Sequence, residues 1–222
     1  MEDLSNKVSE SGARFLLISH MRGHLVDMDK LMQIVNENNL ILIEDCAHTM
    51  GALWNNQRSG SFGIAGCFST QTYKHLNSGE GGLITSNDEK FMARAIIYSG
   101  SYMLYERHSA APSSEVFSDI RLETPNYSGR MDNLRAAILR PQLKNLENNI
   151  NRWNERYQLV ENELNEVNGL EVPVRFKEER YVGSSIQFRI PGITNSEAKS
   201  FINKNKELGV ELKWFGNDDP NG

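Results

Sequence analysis

The apolar positions change period twice within the first 45 residues. Phe15–Ser19 is a short continuous apolar run of the kind that forms a buried strand. Residues 28–38 then place Met28, Leu31, Met32 and Val35 at helical spacing, with Asp27 positioned to cap the first turn and Asn38 and Asn39 to end the helix. A second apolar run at 40–43 stops at the charged pair Glu44 and Asp45. Strand, helix, strand in this order predicts a mainly parallel sheet covered on both faces, with ligands bound beyond the carboxyl ends of the strands. Asp45 stands at one such end.

The alternation continues. Strands are predicted at 64–69 and Gly82–Thr85, followed by a helix capped by Asn87 or Asp88 and running to about Tyr98. Residues 101–126 lack a period and predict an irregular surface excursion. From 131 to 165, Leu134, Ala137, Ile138, Leu143, Leu146, Ile150, Trp153, Tyr157, Val160 and Leu164 predict one long helix bent at Pro141, bridging two domains. Strands at 171–174 and 185–190, a helix at 196–208 and a strand at 210–213 then predict the start of a smaller α/β domain. No internal repeat or low-complexity tract is seen, and 218–222 reads as turn chemistry.

The chain has 222 residues, 39% of them hydrophobic, 24% charged, with a formal net charge of −5. That balance gives no electrostatic case for nucleic acid or an anionic membrane and favours a small substrate. The apolar runs are strand-sized, so no transmembrane helix is predicted, and residues 1–14 lack the apolar middle of a secretory signal. A cytoplasmic location is the expectation. Cys46 and Cys67 fall in no metal-binding spacing and read as reduced, buried core thiols. There is neither a Gly-x-Gly-x-x-Gly fingerprint nor a Walker-type loop.

Three local patterns carry candidate chemistry: Glu44-Asp45-Cys46-Ala47-His48, Cys67-Phe68-Ser69-Thr70-Gln71-Thr72-Tyr73-Lys74 and Ser78-Gly79-Glu80-Gly81-Gly82. Singly, Asp45 reads as a helix cap, His48 as a core histidine and Lys74 as a surface lysine. Their order and spacing fit pyridoxal chemistry, which needs a lysine amine as nucleophile, an acid to keep a pyridine nitrogen protonated, and hydroxyl or backbone donors for a phosphate. A buried strand end can keep Asp45 ionised only if the carboxylate meets a cation. Ser69 ends the next strand, five residues before Lys74. The glycines at 79, 81 and 82 suit either close ligand approach or a tight hairpin.

These patterns, with His20-Met21-Arg22-Gly23, Gly60-Ser61-Phe62-Gly63 and the segment from Arg130 to Ala137 with Gln142-Leu143, resemble the DegT/DnrJ/EryC1/StrS family of sugar aminotransferases over most of the chain. The resemblance implies a pyridoxal-phosphate-dependent transferase of fold type I. Residues 1–130 would be the C-terminal part of the large cofactor domain, and 131–222 the long linking helix with an incomplete small domain. It implies that Lys74 carries pyridoxal 5′-phosphate as a Schiff base and shuttles the substrate proton. Asp45 would pair with the ring nitrogen, His48 would lie near the ring hydroxyl, and Ser69 would bind the phosphate. Glutamate or glutamine would donate the amino group to a keto sugar, often nucleotide-linked, or to a keto cyclitol, in a homodimer. Lysine rather than histidine at position 74 favours transamination over the related sugar dehydratases. Relatives carry an asparagine for the partner subunit's phosphate just before the long-helix segment; here Ser128 or Gly129 aligns, with Asn126 upstream. Relatives also have a long portion before the segment matching Phe15–Ser19, so a fragment is expected, with a sheet edge and an apolar sheet face left uncovered, acting as a split or non-catalytic partner if not as an enzyme.

Overall fold

The computed structural model describes residues 1–100 and 109–216. Contacts divide them into two units: Met1–Leu159 with Arg175–Ile186, and Val160–Val174 with Gln187–Gly222. The first holds the sheet and the candidate chemistry. Strands β1 (Phe15–Ser19), β2 (Ile41–Asp45), β5 (Ala65–Ser69) and β6 (Gly82–Thr85) form a sheet in the order β1-β2-β5-β6, parallel except for the last pair. The α/β class and mainly parallel sheet are as the sequence predicts. Helix α2 (Met28–Glu37) crosses from β1 to β2 and buries Met28, Leu31, Ile34 and Val35. Asp27 accepts the amide of Lys30 and caps it. The turn after it closes through Asn39, whose φ of 51° a short polar side chain tolerates.

The sheet's two faces differ. Leu16, Ile18, Leu42 and Phe68 point to a core that also contains Leu31, Met50, Trp54, Leu76 and Ile150. The other face presents Phe15 and Leu17 at 64% and 66% exposure, with Ile84 and Cys67 also exposed. Burial of both cysteines is therefore corrected: Cys46 is buried, and Cys67, one residue out of phase along its strand, is not.

Other elements depart from the sequence reading. Helix α1 (Glu2–Ser11) packs Leu4 and Val8, one turn apart, on the core and ends at Gly12 in the left-handed region. A hairpin joins β3 (Leu53–Trp54) to β4 (Gln57–Arg58) through Asn55 and Asn56, both at positive φ, as a two-residue hairpin turn requires. Strand β7 (Glu179–Arg180) pairs on the other side of β3. Helix α3 (Glu89–Ser99) is capped by Asp88, not Asn87. Of the expected irregular excursion, 101–108 lie outside the described residues, and Ser114–Ile120 forms helix α4, which buries Phe117 and Ile120 beside Ile96 and Ile97.

The long helix is two: α5 (Asn133–Lys144) and α6 (Leu146–Asn165). The break falls at Asn145, not Pro141. Proline removes one amide donor but leaves α5 continuous, whereas the Asn145 side chain bonds to Asn148 and Asn149 and opens a new first turn. In the second unit the strands predicted at 171–174 and 185–190 reduce to one bridge between Glu171 and Arg189, and 210–213 forms no strand. Helix α7 (Asn195–Glu207) forms as predicted, opened by a Thr194–Glu197 capping box.

Candidate active site

Parallel register sets Ser19, Asp45 and Cys67 side by side at the carboxyl end of the sheet. The Ser19 hydroxyl donates to Asp45 Oδ2 at 2.9 Å and the Ala47 amide to Oδ1 at 3.0 Å. Asp45 is half-buried, so its carboxylate is oriented by these two donors with lone pairs left over. The chain leaves β2 through a turn that brings His48 back over the same end.

Lys74 comes from the other side. The segment between β5 and β6 folds on itself: the Thr70 amide bonds to Gly81 O, the Thr72 amide to Gly79 O and the Ser78 amide to Thr70 O. Gly79 and Gly81 have φ of 88° and 130°, and a Cβ on Gly81 would meet Thr70 Oγ1 at 2.8 Å. The glycines thus make the hairpin, and Thr70, fully buried, is its pivot. Within this loop the Lys74 amide closes a turn on Gln71 O, and Lys74 Nζ lies 3.1 Å from His48 Nε2. Ser69 Oγ accepts the Gln71 amide at 3.2 Å.

His48 is held below its ordinary pKa by burial and by the positive charges of Lys74 and Arg22, with Asp45 opposing them. The structure thus brings together Lys74, His48 and Asp45, with Arg22 beside them and Ser69 at the neighbouring strand end. Arg22, in the left-handed region at φ 60°, is a member of this group that sequence reasoning had left inside a turn motif. Asn126 Oδ1 accepts the Ser128 amide at 2.8 Å, and both residues are exposed, next to the Gly100 turn.

Beneath this end lies a second buried group that the sequence reading passed over. Glu44, adjacent to Asp45 but pointing to the core face, is fully buried. Its Oε1 accepts the amides of Phe62 and Gly63 at 2.8 and 2.9 Å, and its Oε2 accepts Gly60 at 2.8 Å and faces His20 Nε2 at 3.3 Å. Burial alone would raise the carboxyl pKa, but the hydrogen bonds from His20, Gly63, Gly60 and Phe62 hold it below the ordinary carboxylate range. Cys46 lies close enough to suggest a His20, Glu44, Cys46 metal set. The four partners already occupy the carboxylate's lone-pair directions, and burial with the Glu44 charge pushes the Cys46 thiol up to about 12, so the set reads as a structural network.

Two other histidines in this unit, His24 and His75, are each lowered to about 4, chiefly by burial. In each the unfolded state takes up a proton near its ordinary 6.5 that the folded state refuses until about 4. Their stabilisation is complete above that ordinary value and is lost as pH falls through the window. Urea midpoints are expected to drop between these values, and His24→Asn or His75→Asn to flatten the drop.

Residues 1–215 match the DegT/DnrJ/EryC1/StrS aminotransferase family. The chain belongs to that family. Among its relatives, GDP-perosamine synthase of Escherichia coli O157:H7 is 27% identical over 74% of this chain and 42% of its own length. The spore coat polysaccharide biosynthesis protein SpsC of Bacillus subtilis strain 168 is 27% identical over 88% and 51%. The crystal structure of AtS13 from Actinomadura melliaura superposes with a TM-score of 0.78 at 25% identity, over 99% of this chain and 58% of that one. This DegT/DnrJ/EryC1/StrS chain therefore spans about half the length of the relatives it matches. The chain shares its fold with AtS13.

Proposed function

We propose that this chain carries the cofactor and amine-transfer site of a pyridoxal-phosphate-dependent aminotransferase that passes an amino group from glutamate or glutamine to a keto sugar, often nucleotide-linked, or to a keto cyclitol. The observation that carries the reading is Lys74 Nζ at 3.1 Å from His48 Nε2, at the strand end that also holds Asp45. The donor set fits the cofactor. Lys74 offers the amine for its aldehyde, Asp45 a carboxylate for the ring nitrogen, Ser69 a hydroxyl for the phosphate, and His48 a neutral imidazole beside the ring hydroxyl. When bound, pyridoxal phosphate supplies an electron sink for the substrate carbon.

The chain's own residues do the rest. Lys74 Nζ accepts and returns the substrate proton, and His48, kept neutral by its surroundings, accepts a hydrogen bond from that amine without competing for its charge. Asp45, fixed by Ser19 and Ala47, holds its carboxylate where a cationic ring nitrogen needs it. We further propose residues 1–130 as the C-terminal part of the large domain and 131–222 as linking helix and small domain. A cytoplasmic homodimer with the Asn126 to Gly129 segment near the partner's phosphate completes the reading. In support, no helix among the described residues is long and apolar enough to cross a membrane.

The test is incubation of the 222-residue chain with pyridoxal phosphate, borohydride reduction and peptide mapping. Pyridoxyl label on Lys74 is the expected result; label on no lysine, or on exposed lysines alone, overturns the proposal. With glutamate as donor, Asp45→Asn is expected to keep the visible band of bound cofactor but slow its loss by about 10²-fold or more, because a neutral amide no longer favours the protonated ring.

A further inference from the structure

The residue after Lys74 is tied down more firmly than the lysine itself. His75 Nε2 lies 2.8 Å from Ser184 Oγ, and its ring packs on Trp153 of α6 with centroids 5.2 Å apart. The segment that brings Ser184 there is itself braced. The Gly183 amide donates to Asn154 Oδ1 at 2.7 Å, Asn154 Nδ2 donates to Tyr181 O at 2.9 Å, and the Val182 amide donates to Gly23 O at 3.3 Å. Gly23 and Gly183 admit no side chain: a Cβ would meet Val182 O at 2.0 Å and Tyr157 Cβ at 2.6 Å respectively. Leu76 follows in the core at 1% exposure, and Gln142 brackets the backbone of Asn77, accepting its amide at 3.0 Å and donating to its carbonyl at 2.7 Å. Lys74 has no comparable support, since its side chain makes one hydrogen bond, to His48.

We propose that His75 is a positioning residue, which through its bond to Ser184 and its contact with Trp153 sets where the Lys74 amine stands relative to His48. The proposal rests on Lys74 being the cofactor-bearing amine, and it adds a determinant 109 positions away in sequence. Four rotatable bonds let a lysine amine sweep a wide volume, so its placement depends on where the backbone beneath it is held, and displacements of about 1 Å at a reacting group cost roughly 10²-fold in rate. His75 is neutral at working pH, since burial, His48 and Lys74 all lower its pKa. It therefore anchors by geometry without adding charge.

Competitive acetylation of the full chain without cofactor, read by peptide mass mapping, tests this. Exposed Lys30 and Lys90 serve as internal references. His75→Phe keeps a ring for Trp153 but loses the Ser184 bond; Ser184→Ala loses the bond from the other side and leaves the core untouched. Both are expected to raise relative labelling of Lys74 roughly three- to tenfold, the range one lost hydrogen bond allows, with His75→Gln staying within about twofold of the parent. Unchanged Lys74 labelling in both Ser184→Ala and His75→Phe overturns the inference. Borohydride fixation of pyridoxal phosphate on the same samples is a separate readout. Fixation with unchanged labelling sinks the positioning role and keeps the cofactor site; changed labelling without fixation does the reverse.

Discussion

Lys74→Ala is expected to lose all borohydride-fixed pyridoxal phosphate and its visible band while moving the urea midpoint by no more than about 0.5 M. The chemical half follows from the requirement for an unprotonated amine that can add to an aldehyde, which alanine lacks. The structural half follows from what Lys74 touches. Its amine makes one hydrogen bond, to the half-buried His48, and the loop that carries it is held by Thr70, Leu76 and Asn77. Losing it should change stability by about 1 kcal/mol or less. Lys74→Arg sharpens the result, because a guanidinium keeps the positive charge but is not a nucleophile at neutral pH. If Lys74→Arg or Lys74→Ala still fixed cofactor at the same level, another lysine would be the carrier and the proposed site would be wrong.

Glu44→Gln is expected to have the largest effect on stability. The amide keeps one oxygen for the Phe62 and Gly63 amides but turns an NH₂ group toward the Gly60 amide, donor against donor, in a fully buried place. Breaking a buried, fully bonded charge network of this kind costs about 3–5 kcal/mol. For a urea slope of about 2 kcal/mol per M, that lowers the midpoint by about 1.5–2.5 M. The sign of the pH dependence gives a second check. Because the Glu44 carboxyl is held below its ordinary 4.5 in the folded state, its stabilisation is fully present above that value and is lost as pH falls through the folded pKa. The parent and Glu44→Gln midpoints should therefore converge in acid. A parallel offset at all pH values would mean that the Glu44 charge contributes nothing and that only the lost acceptor for the Gly60 amide matters.

Legibility in the sequence followed the range of the interactions. β1, α2, β2 and the cap Asp27 could be read, and the α3 cap narrowed to Asn87 or Asp88, because period and cap lie within a few residues of one another. Helix α1 escaped because only Leu4 and Val8 of its ten residues carry the core-facing signal. Strand β7 escaped because two residues acquire strand geometry only by pairing with β3, more than a hundred positions earlier. The proline at 141 misled because α5 absorbs it, while the side-chain chemistry of Asn145 makes the break. In the site, Asp45, His48, Ser69 and Lys74 were legible as types in order, and the 3.1 Å approach of His48 to Lys74 was not. Ser184, Trp153 and Gln142 reach the lysine loop from α5, α6 and the segment after them, and no local pattern could name them as its supports. Glu44 had a signal that went unused: an acid one position before a strand-end aspartate must face the opposite side of the sheet.

That alternation has a further consequence. Glu44 and Asp45 are covalent neighbours, yet one is sealed among amides and the other opens to the crevice, so a single strand separates a foundation from a working surface. The side chains of Asp45 and Ser19 bond to each other, Asp45 also accepts the Ala47 amide, and the Gly60 to Gly63 loop hangs on Glu44 instead. Changes at Glu44 loosen the floor first, and reach Asp45 through His20, whose ring faces Glu44 and whose amide bonds to Asp45 O. Substitutions at 44 should therefore register first in foldability and those at 45 first at the crevice, with a coupling in the double variant that measures what His20 transmits between them.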